Sequence, residues 1–236
     1  KEWEERFRAV EENYKRICDG IARAAADSSR KPEEITLLAA TKTVPVEVIN
    51  HSIALGISHI GENRVQELCE KYDGYASVDV QFIGHLQTNK VRQIISKVSL
   101  IQSVDSLHLA QEVSRQAVKA AKQQDILLEV NIGREENKSG VLPEALPELL
   151  EQVAVLPALH IRGLMAIPPA DAAKSETIRF FSRMTQYFID IKNKSMDNVN
   201  MDYLSMGMSA DYEDAIRAGA NMVRVGSALY GARVYR

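Results

Sequence analysis

Lys42 is the residue whose position in this sequence best suits covalent chemistry. It follows the apolar run 35–40, in the segment Thr41-Lys42-Thr43. An amine that is partly withdrawn from water loses its proton more easily, and the free amine is the form that attacks a carbonyl carbon to make an imine. A lysine at the end of a strand can also extend its side chain to solvent without any chemical role. Spacing alone leaves both interpretations open.

Arg224 is a second unusual residue, because it lies between Val223 and Val225 in an apolar run. A guanidinium in apolar surroundings needs a partner. One candidate partner is a carboxylate, such as that of Glu62 or Asp211, and the other is a ring nitrogen of a bound heterocycle. Since arginine keeps its proton, it would leave such a nitrogen unprotonated and weaken the ring as an electron sink.

Small and hydroxyl-bearing residues after the last two apolar runs suit an anion. Gly226 allows a close approach of the backbone, and the hydroxyls of Ser209 and Ser227 can donate hydrogen bonds. Ser209 also precedes the helical pattern 210–218, where it could be the N-cap. Three more polar residues could line the same region or serve only as turn and cap residues: Asn63, His85 and Asn89.

The elements that would position these residues alternate between short apolar runs and segments of helical periodicity. The predicted strands are 35–40, 58–60, 80–83, 100–104, 126–131, 161–165, 203–206 and 222–225. The predicted helices between them are 46–55, 64–71, 88–97, 106–123, 146–155, 172–191 and 210–218. An amphipathic helix over 2–26 precedes the first strand.

Eight strands that alternate with helices in 236 residues predict a closed parallel sheet, the (β/α)8 or TIM barrel. We expect one domain over residues 1–236, with the N-terminal helix, within 1–27, packed on the barrel. No Gly-x-Gly-x-x-Gly segment follows the first strand, which argues against a Rossmann fold. The residues singled out above all follow predicted strands or end them, and barrel sites form at that end of the sheet.

Composition excludes several other classes. The formal charge of −3 argues against nucleic acid or an anionic membrane as a general partner, and no apolar run reaches the roughly 20 residues that span a bilayer. The charged, amphipathic N-terminus is unlike a signal peptide, so a cytoplasmic protein with Cys18 and Cys69 reduced is expected. The histidines and cysteines do not have the spacing of a metal site. The sequence also contains neither the Gly-x-Ser-x-Gly motif of a nucleophile elbow nor a P-loop.

Taken together, the motifs resemble one family, the pyridoxal 5′-phosphate (PLP) homeostasis proteins, also known as YggS-like proteins or proline synthetase co-transcribed homologues. The resemblance extends over residues 3–235. It is carried, in order, by 38–44 (LAATKTV), 61–67 (GENRVQE), 82–90 (FIGHLQTNK), 129–133 (EVNIG), 138–140 (KSG), 163–165 (GLM), 204–211 (LSMGMSAD) and 223–227 (VRVGS).

The resemblance implies a barrel like the N-terminal domain of alanine racemase. It also implies that Lys42 forms the Schiff base with PLP and that Arg224 faces the pyridine nitrogen. The phosphate would be held by Ser209, Gly226 and Ser227, with Asn63, Met165 and Ser205 nearby. Ser227 stands where many members of the family have threonine, and the hydroxyl is retained.

The family is regarded as a PLP carrier or buffer without established catalysis, and a racemase needs two positioned acid–base groups. In alanine racemase the second group, a tyrosine, comes from an extra C-terminal domain that we expect this chain to lack. Tyr230 and Tyr235 lie near the C-terminus, but nothing in the sequence places either opposite Lys42. We therefore expect a monomeric carrier, with PLP-dependent apoenzymes as candidate partners. The alternatives are a fold type III racemase or lyase and a PLP-responsive interaction protein.

Overall fold

The computed structural model describes residues 2–232, with side chains from residue 3. Its strands are β1 (Thr36–Ala40), β2 (His59–Glu62), β3 (Asp79–Phe82), β4 (Leu100–Val104), β5 (Gln124–Val130), β6 (Leu159–Ala166), β7 (Val199–Ser205) and β8 (Met222–Val225). Its α-helices are α1 (Glu2–Asp27), α2 (Val46–Leu55), α3 (Val65–Lys71), α4 (Val91–Ile94), α5 (Leu107–Lys119), α6 (Leu146–Ala154), α7 (Lys174–Lys194), α8 (Tyr212–Ala218) and α9 (Ser227–Tyr230).

The eight strands close into one barrel in sequence order, and every neighbouring pair is parallel. Closure is made by β8 on β1, where Leu38 lies opposite Arg224. This confirms the predicted (β/α)8 fold. None of the helices in the described part of the chain is long and apolar enough to cross a membrane.

Alternate residues of the strands point to two different cores. Leu38 and Ala40 of β1, Leu127 of β5 and Met222 of β8 belong to a small cluster that fills the barrel. Residues of the other parity, such as Ala39, pack against the surrounding helices in a much larger cluster. Both faces of the sheet are therefore buried, as expected for parallel strands covered by helices.

Several predicted boundaries differ from those of the structure, among them those of β7 and α4. β7 begins at Val199 instead of residue 203, because Asn200 and Asp202 continue the strand by bonding His160 and Arg162 on β6. The helix predicted over 88–97 ends early: a 3-10 turn at Thr88–Lys90 leads into α4, which stops at Ile94.

Helix α1 lies outside the repeating pattern and packs against α2, α8 and α9. Its buried face carries Val10, Ile17 and Ile21, spaced as expected for one side of a helix. The amide of Asn13 donates to the carbonyl of Leu229 at 3.0 Å, which fixes α1 beside α9.

Candidate functional site

A cavity of about 570 Å³ opens at the carboxyl ends of the strands. Its wall brings together five of the eight residues predicted for the site, namely Asn63, Ser209, Arg224, Gly226 and Ser227. Ala40 and Ile83, which cap the apolar interior of the barrel, also border it. The cavity is thus apolar on its β1 and β3 side and polar on its β7 and β8 side.

Lys42 lies two residues beyond Ala40 and is partly buried. Leu38 and Ala40 both face the barrel interior, and Lys42 lies in the turn that follows β1 at the carboxyl end of the barrel. Within the described residues, the Lys42 amine has no hydrogen bond or ion pair. It is therefore available to a ligand in the mouth, although its side chain does not line the cavity wall.

The guanidinium of Arg224 is held inside the barrel, where the residue is 3% exposed. Nη1 donates to Ser205 Oγ at 2.5 Å and Nη2 donates to the carbonyl of Ala166 at 3.0 Å. Burial lowers the pKa of Arg224 to about 10, although the negative charges of Glu129 and Asp211 act in the opposite direction and raise it. These bonds orient the remaining donors of Arg224 without neutralising its charge.

Neither carboxylate that the sequence offered to Arg224 forms an ion pair with it. Glu62 is on the outer face of β2, next to Ile60, and bonds Thr41 and Tyr75 there. Asp211 instead accepts the backbone N–H of Met208 at 2.8 Å and acts on Arg224 only at longer range.

Ser205 and Met165 are fully buried and do not border the cavity, although Ser205 contacts Arg224 through its hydroxyl. Ser205 Oγ donates to Gln102 Oε1 at 2.6 Å, and Gln102 Nε2 donates to Gln81 Oε1 at 2.7 Å. This row of polar side chains runs from β8 through β7 and β4 to β3. It satisfies the buried groups that would otherwise destabilise the barrel, and it fixes the orientation of Arg224.

Glu129 is a site residue that reasoning from the sequence did not assign. It follows Leu127 on the inner face of β5, is 5% exposed, and borders a second cavity that adjoins the first. Burial and then the Asp105 carboxylate raise the pKa of Glu129 to about 7, against the attraction of Arg224. The sequence did contain a signal for this residue. Glu129 is an acid in one apolar strand and Arg224 is a base in another, and a closed barrel can bring two such strands together.

The β7 and β8 loops form a backbone cradle at the cavity. Ser209 does not cap α8, whose N-cap is Asp211; instead its hydroxyl accepts the N–H of Ala228 at 3.0 Å and ties the two loops together. Among the described residues, no protein acceptor takes the N–H groups of Gly226 and Ser227.

His85, which the sequence offered for the same region, does not border the first cavity. It borders the second cavity, where Ser139 Oγ is 3.4 Å from His85 Nδ1.

These residues fit an anionic heterocycle. Free N–H groups and serine hydroxyls suit a phosphate, and a buried guanidinium suits an unprotonated ring nitrogen. The apolar wall of Ala40 and Ile83 can pack against a ring. The donor set matches PLP in charge and in the kinds of groups it must bind.

Comparison with known proteins gives a consistent result. The sequence model of the alanine racemase N-terminal domain matches residues 22–234. A relative from Aquifex aeolicus, named pyridoxal phosphate homeostasis protein, is 42% identical over 95% of this chain and 98% of its own.

Two solved structures have the same fold at similar identity. A protein of unknown function from Bifidobacterium adolescentis superposes with a TM-score of 0.91 at 33% identity, covering 95% of this chain and 96% of its own. PipY of Synechococcus elongatus, solved with PLP bound, gives 0.77 at 32% identity, covering 89% and 100%. The chain therefore belongs to the family of the alanine racemase N-terminal domain and, within it, to the group of the pyridoxal phosphate homeostasis proteins.

Proposed function

We propose that this protein binds PLP in the cavity at the mouth of the barrel and holds it through an imine with Lys42. It would act as a carrier or buffer in PLP and amino-acid homeostasis. The observation that carries the proposal is the cavity itself, which combines a backbone cradle with a buried guanidinium and borders Ala40, two residues before Lys42. The PLP that occupies PipY, a relative of similar fold, supports the same assignment.

Each group of the site has a distinct task in this proposal. When bound, PLP supplies an aldehyde that condenses with a primary amine and releases water. Ser209, Gly226 and Ser227 hold the phosphate, and Asn63 borders the same space. Arg224 keeps the ring nitrogen unprotonated because its own proton is not surrendered. Ser205 orients Arg224 through its hydroxyl, and Met165 packs in the apolar interior of the barrel.

The imine lysine can be tested directly by absorbance. Lys42→Ala should abolish the visible imine absorbance that develops when PLP is added to the wild type. Lys174 is a matched control, since it borders the same cavity but its side chain is 78% exposed. Lys174→Ala should keep the absorbance. An unchanged spectrum in Lys42→Ala, or its loss only in Lys174→Ala, would refute the assignment.

A carrier is favoured over a racemase by the position of Tyr230. Its hydroxyl pairs with Ser52 Oγ of α2 at 2.8 Å, behind the sheet and away from the cavity, and burial raises its pKa. Tyr235 lies outside the described residues. A chiral assay of amino acids with the PLP-loaded protein decides the point, because robust turnover that Lys42→Ala abolishes would overturn the carrier function.

The proposed partners are PLP-dependent apoenzymes, and the proposed carrier is a monomer. Transfer is measurable as the recovery of activity by an apoenzyme mixed with the PLP-loaded protein, compared with an equal amount of free PLP. Gel filtration of the loaded and unloaded protein measures the oligomeric state.

A further inference from the structure

The segment that carries Lys42 is bonded on both sides to three charged residues behind the sheet. These residues are Glu62 at the end of β2 and Glu67 and Lys71 on α3, and together we call them the loop clamp. None of them borders the cavity. Their side chains are nonetheless largely buried, with exposures of 0% for Glu62, 17% for Glu67 and 13% for Lys71.

The residue before Lys42 is held through its carbonyl and its hydroxyl. Lys71 Nζ donates to the carbonyl of Thr41 at 2.9 Å, and Thr41 Oγ1 donates to Glu62 Oε1 at 2.6 Å. Lys71 Nζ is also 3.1 Å from the same Glu62 oxygen. Thr41 is fully buried, so these bonds are not exchanged for water.

The residue after Lys42 is held through its N–H. Thr43 N donates to Glu67 Oε2 at 2.7 Å, and Lys71 Nζ lies 2.6 Å from that oxygen. Thr43 has a φ of +64°, which is rare and strained for a β-branched residue. Such a conformation persists only where the surrounding contacts impose it, and the bond to Glu67 is one such contact.

One cation, Lys71, is shared by the two carboxylates of the loop clamp. Lys71 bridges both carboxylates, and Tyr75 adds a hydrogen bond to Glu62 Oε1 at 2.8 Å. Burial raises the pKa of Glu62, against the attraction of Lys71 and the hydrogen bond from Thr41. The bonds from Lys71 to the carbonyl of Thr41 and from Thr43 N to Glu67 tie the backbone on both sides of Lys42 to this cluster.

We propose that Glu67 and Lys71, with Glu62, are positioning residues for Lys42: by fixing the backbone at 41 and 43 they hold the amine at the mouth of the barrel, ready to react with the aldehyde of PLP. This inference rests on the proposed function. In this proposal the loop clamp affects the rate of imine formation. It does not affect the affinity for the phosphate or the ring of PLP, because other loops would contact those groups. In the step itself, the neutral amine nitrogen forms the C=N bond to the aldehyde carbon, the C=O bond breaks, and the two amine hydrogens leave with the aldehyde oxygen as water.

The experiment uses Glu67, because its removal frees Thr43 N without leaving a fully buried charge unpaired. Imine formation after mixing with PLP is followed by stopped-flow absorbance in wild type, Glu67→Ala and Glu67→Gln. The control is Glu70→Ala on the same helix, since among the described residues the carboxylate of Glu70 accepts a bond from Gln66 alone. The affinity for pyridoxamine 5′-phosphate, which lacks the aldehyde and cannot form the imine, is measured in parallel.

The expected result is imine formation at least about ten-fold slower in Glu67→Ala, because small displacements of a reacting group carry rate costs of this size. Glu67→Gln keeps an acceptor for Thr43 N and should recover part of the rate. Glu70→Ala should match the wild type. The affinity for pyridoxamine 5′-phosphate should stay within two-fold of the wild type in all variants, a threshold of about 0.4 kcal/mol.

Two results would overturn the inference. One is an unchanged rate of imine formation in Glu67→Ala. The other is an equal loss of pyridoxamine 5′-phosphate affinity, which would make Glu67 a general support of the fold and not a positioning residue for Lys42. A wild type that forms no imine at all would instead refute the proposed function, and this inference with it.

Discussion

Two opposite charges, Glu129 on β5 and Arg224 on β8, share the inside of the barrel near the mouth. The two charges attract one another without forming an ion pair, because the guanidinium of Arg224 donates its hydrogen bonds to Ser205 and Ala166. Within the described residues the carboxylate of Glu129 accepts no hydrogen bond, and burial raises its pKa to about 7 against the attraction of Arg224. At the residue scale, the site is therefore a buried cation of fixed orientation beside an acid that titrates close to neutrality.

Glu129 should make the stability of the PLP-free protein depend on pH. The ordinary pKa of the carboxyl is 4.5 and its folded value is about 7, so the proton is bound more tightly in the folded state. Stabilisation by this proton is complete below pH 4.5 and is lost as the pH rises through 7. The side chain of Glu129→Gln does not ionise. As the pH rises through that window, the free energy of unfolding of Glu129→Gln should therefore increase relative to that of the wild type, by up to about 3 kcal/mol.

Urea unfolding at several pH values measures this difference. The control is Glu136→Gln, which changes an exposed carboxyl in the loop after β5. A difference between Glu129→Gln and the wild type that does not change with pH would contradict the assigned ionisation of Glu129.

The loops that follow neighbouring strands touch each other through backbone atoms. Gly84, after β3, packs so closely on the loop after β2 that a Cβ at this position would lie 2.0 Å from the carbonyl oxygen of Asn63. Asn63 borders the cavity. Because Gly84 has no side chain, the loop after β3 can pack against the loop after β2, and this contact sets the position of Asn63.

Gly84→Ala should therefore displace the Asn63 loop. We expect the free energy of unfolding to fall by about 1–3 kcal/mol, as for other overpacked positions, together with weaker retention of PLP. Gly74→Ala is the control, since its added Cβ would meet only the side chain of Val46, at 3.1 Å. Denaturant unfolding and PLP titration measure both effects, and wild-type behaviour of Gly84→Ala in both would disprove the contact.

At the scale of the whole molecule, α1 covers the seam where the barrel closes. It packs on α8 and α9, the helices on either side of β8, and its Asn13 bonds Leu229 in α9. The same α9 begins at Ser227, in the backbone cradle. Stability of the N-terminal helix is consequently linked to closure of the barrel.

Ile17→Ala tests this link, because Ile17 is 2% exposed on the buried face of α1. The substitution should lower the free energy of unfolding by about 2–5 kcal/mol, as for other buried large-to-small changes. Unfolding should remain one transition by circular dichroism and by fluorescence. Lys15→Ala, on the exposed side, is the control. Early loss of helical signal while the barrel stays folded would show that α1 is an independent unit.

The pattern of residues was enough to predict the fold class and the end of the barrel at which the candidate residues collect. Eight short apolar runs that alternate with helical segments indicate parallel strands, because parallel neighbours need long crossovers and are buried on both faces. Lys42, Arg224 and Gly226-Ser227 could be singled out because each follows or interrupts a strand. Their assignment to PLP came from the resemblance of ordered motifs, not from spacing.

Tertiary structure alone decided which side chains meet. Arg224 bonds Ser205 and Ala166 and not Glu62, since β2 turns Glu62 to the outer face. Ser209 joins the last two loops instead of capping α8. Glu129 comes near Arg224 only through closure of the sheet, and Glu67 and Lys71 contact the residues on either side of Lys42 through the packing of α3. Hydrogen bonds between residues far apart in sequence depend on distance in space, which local patterns of residues do not encode.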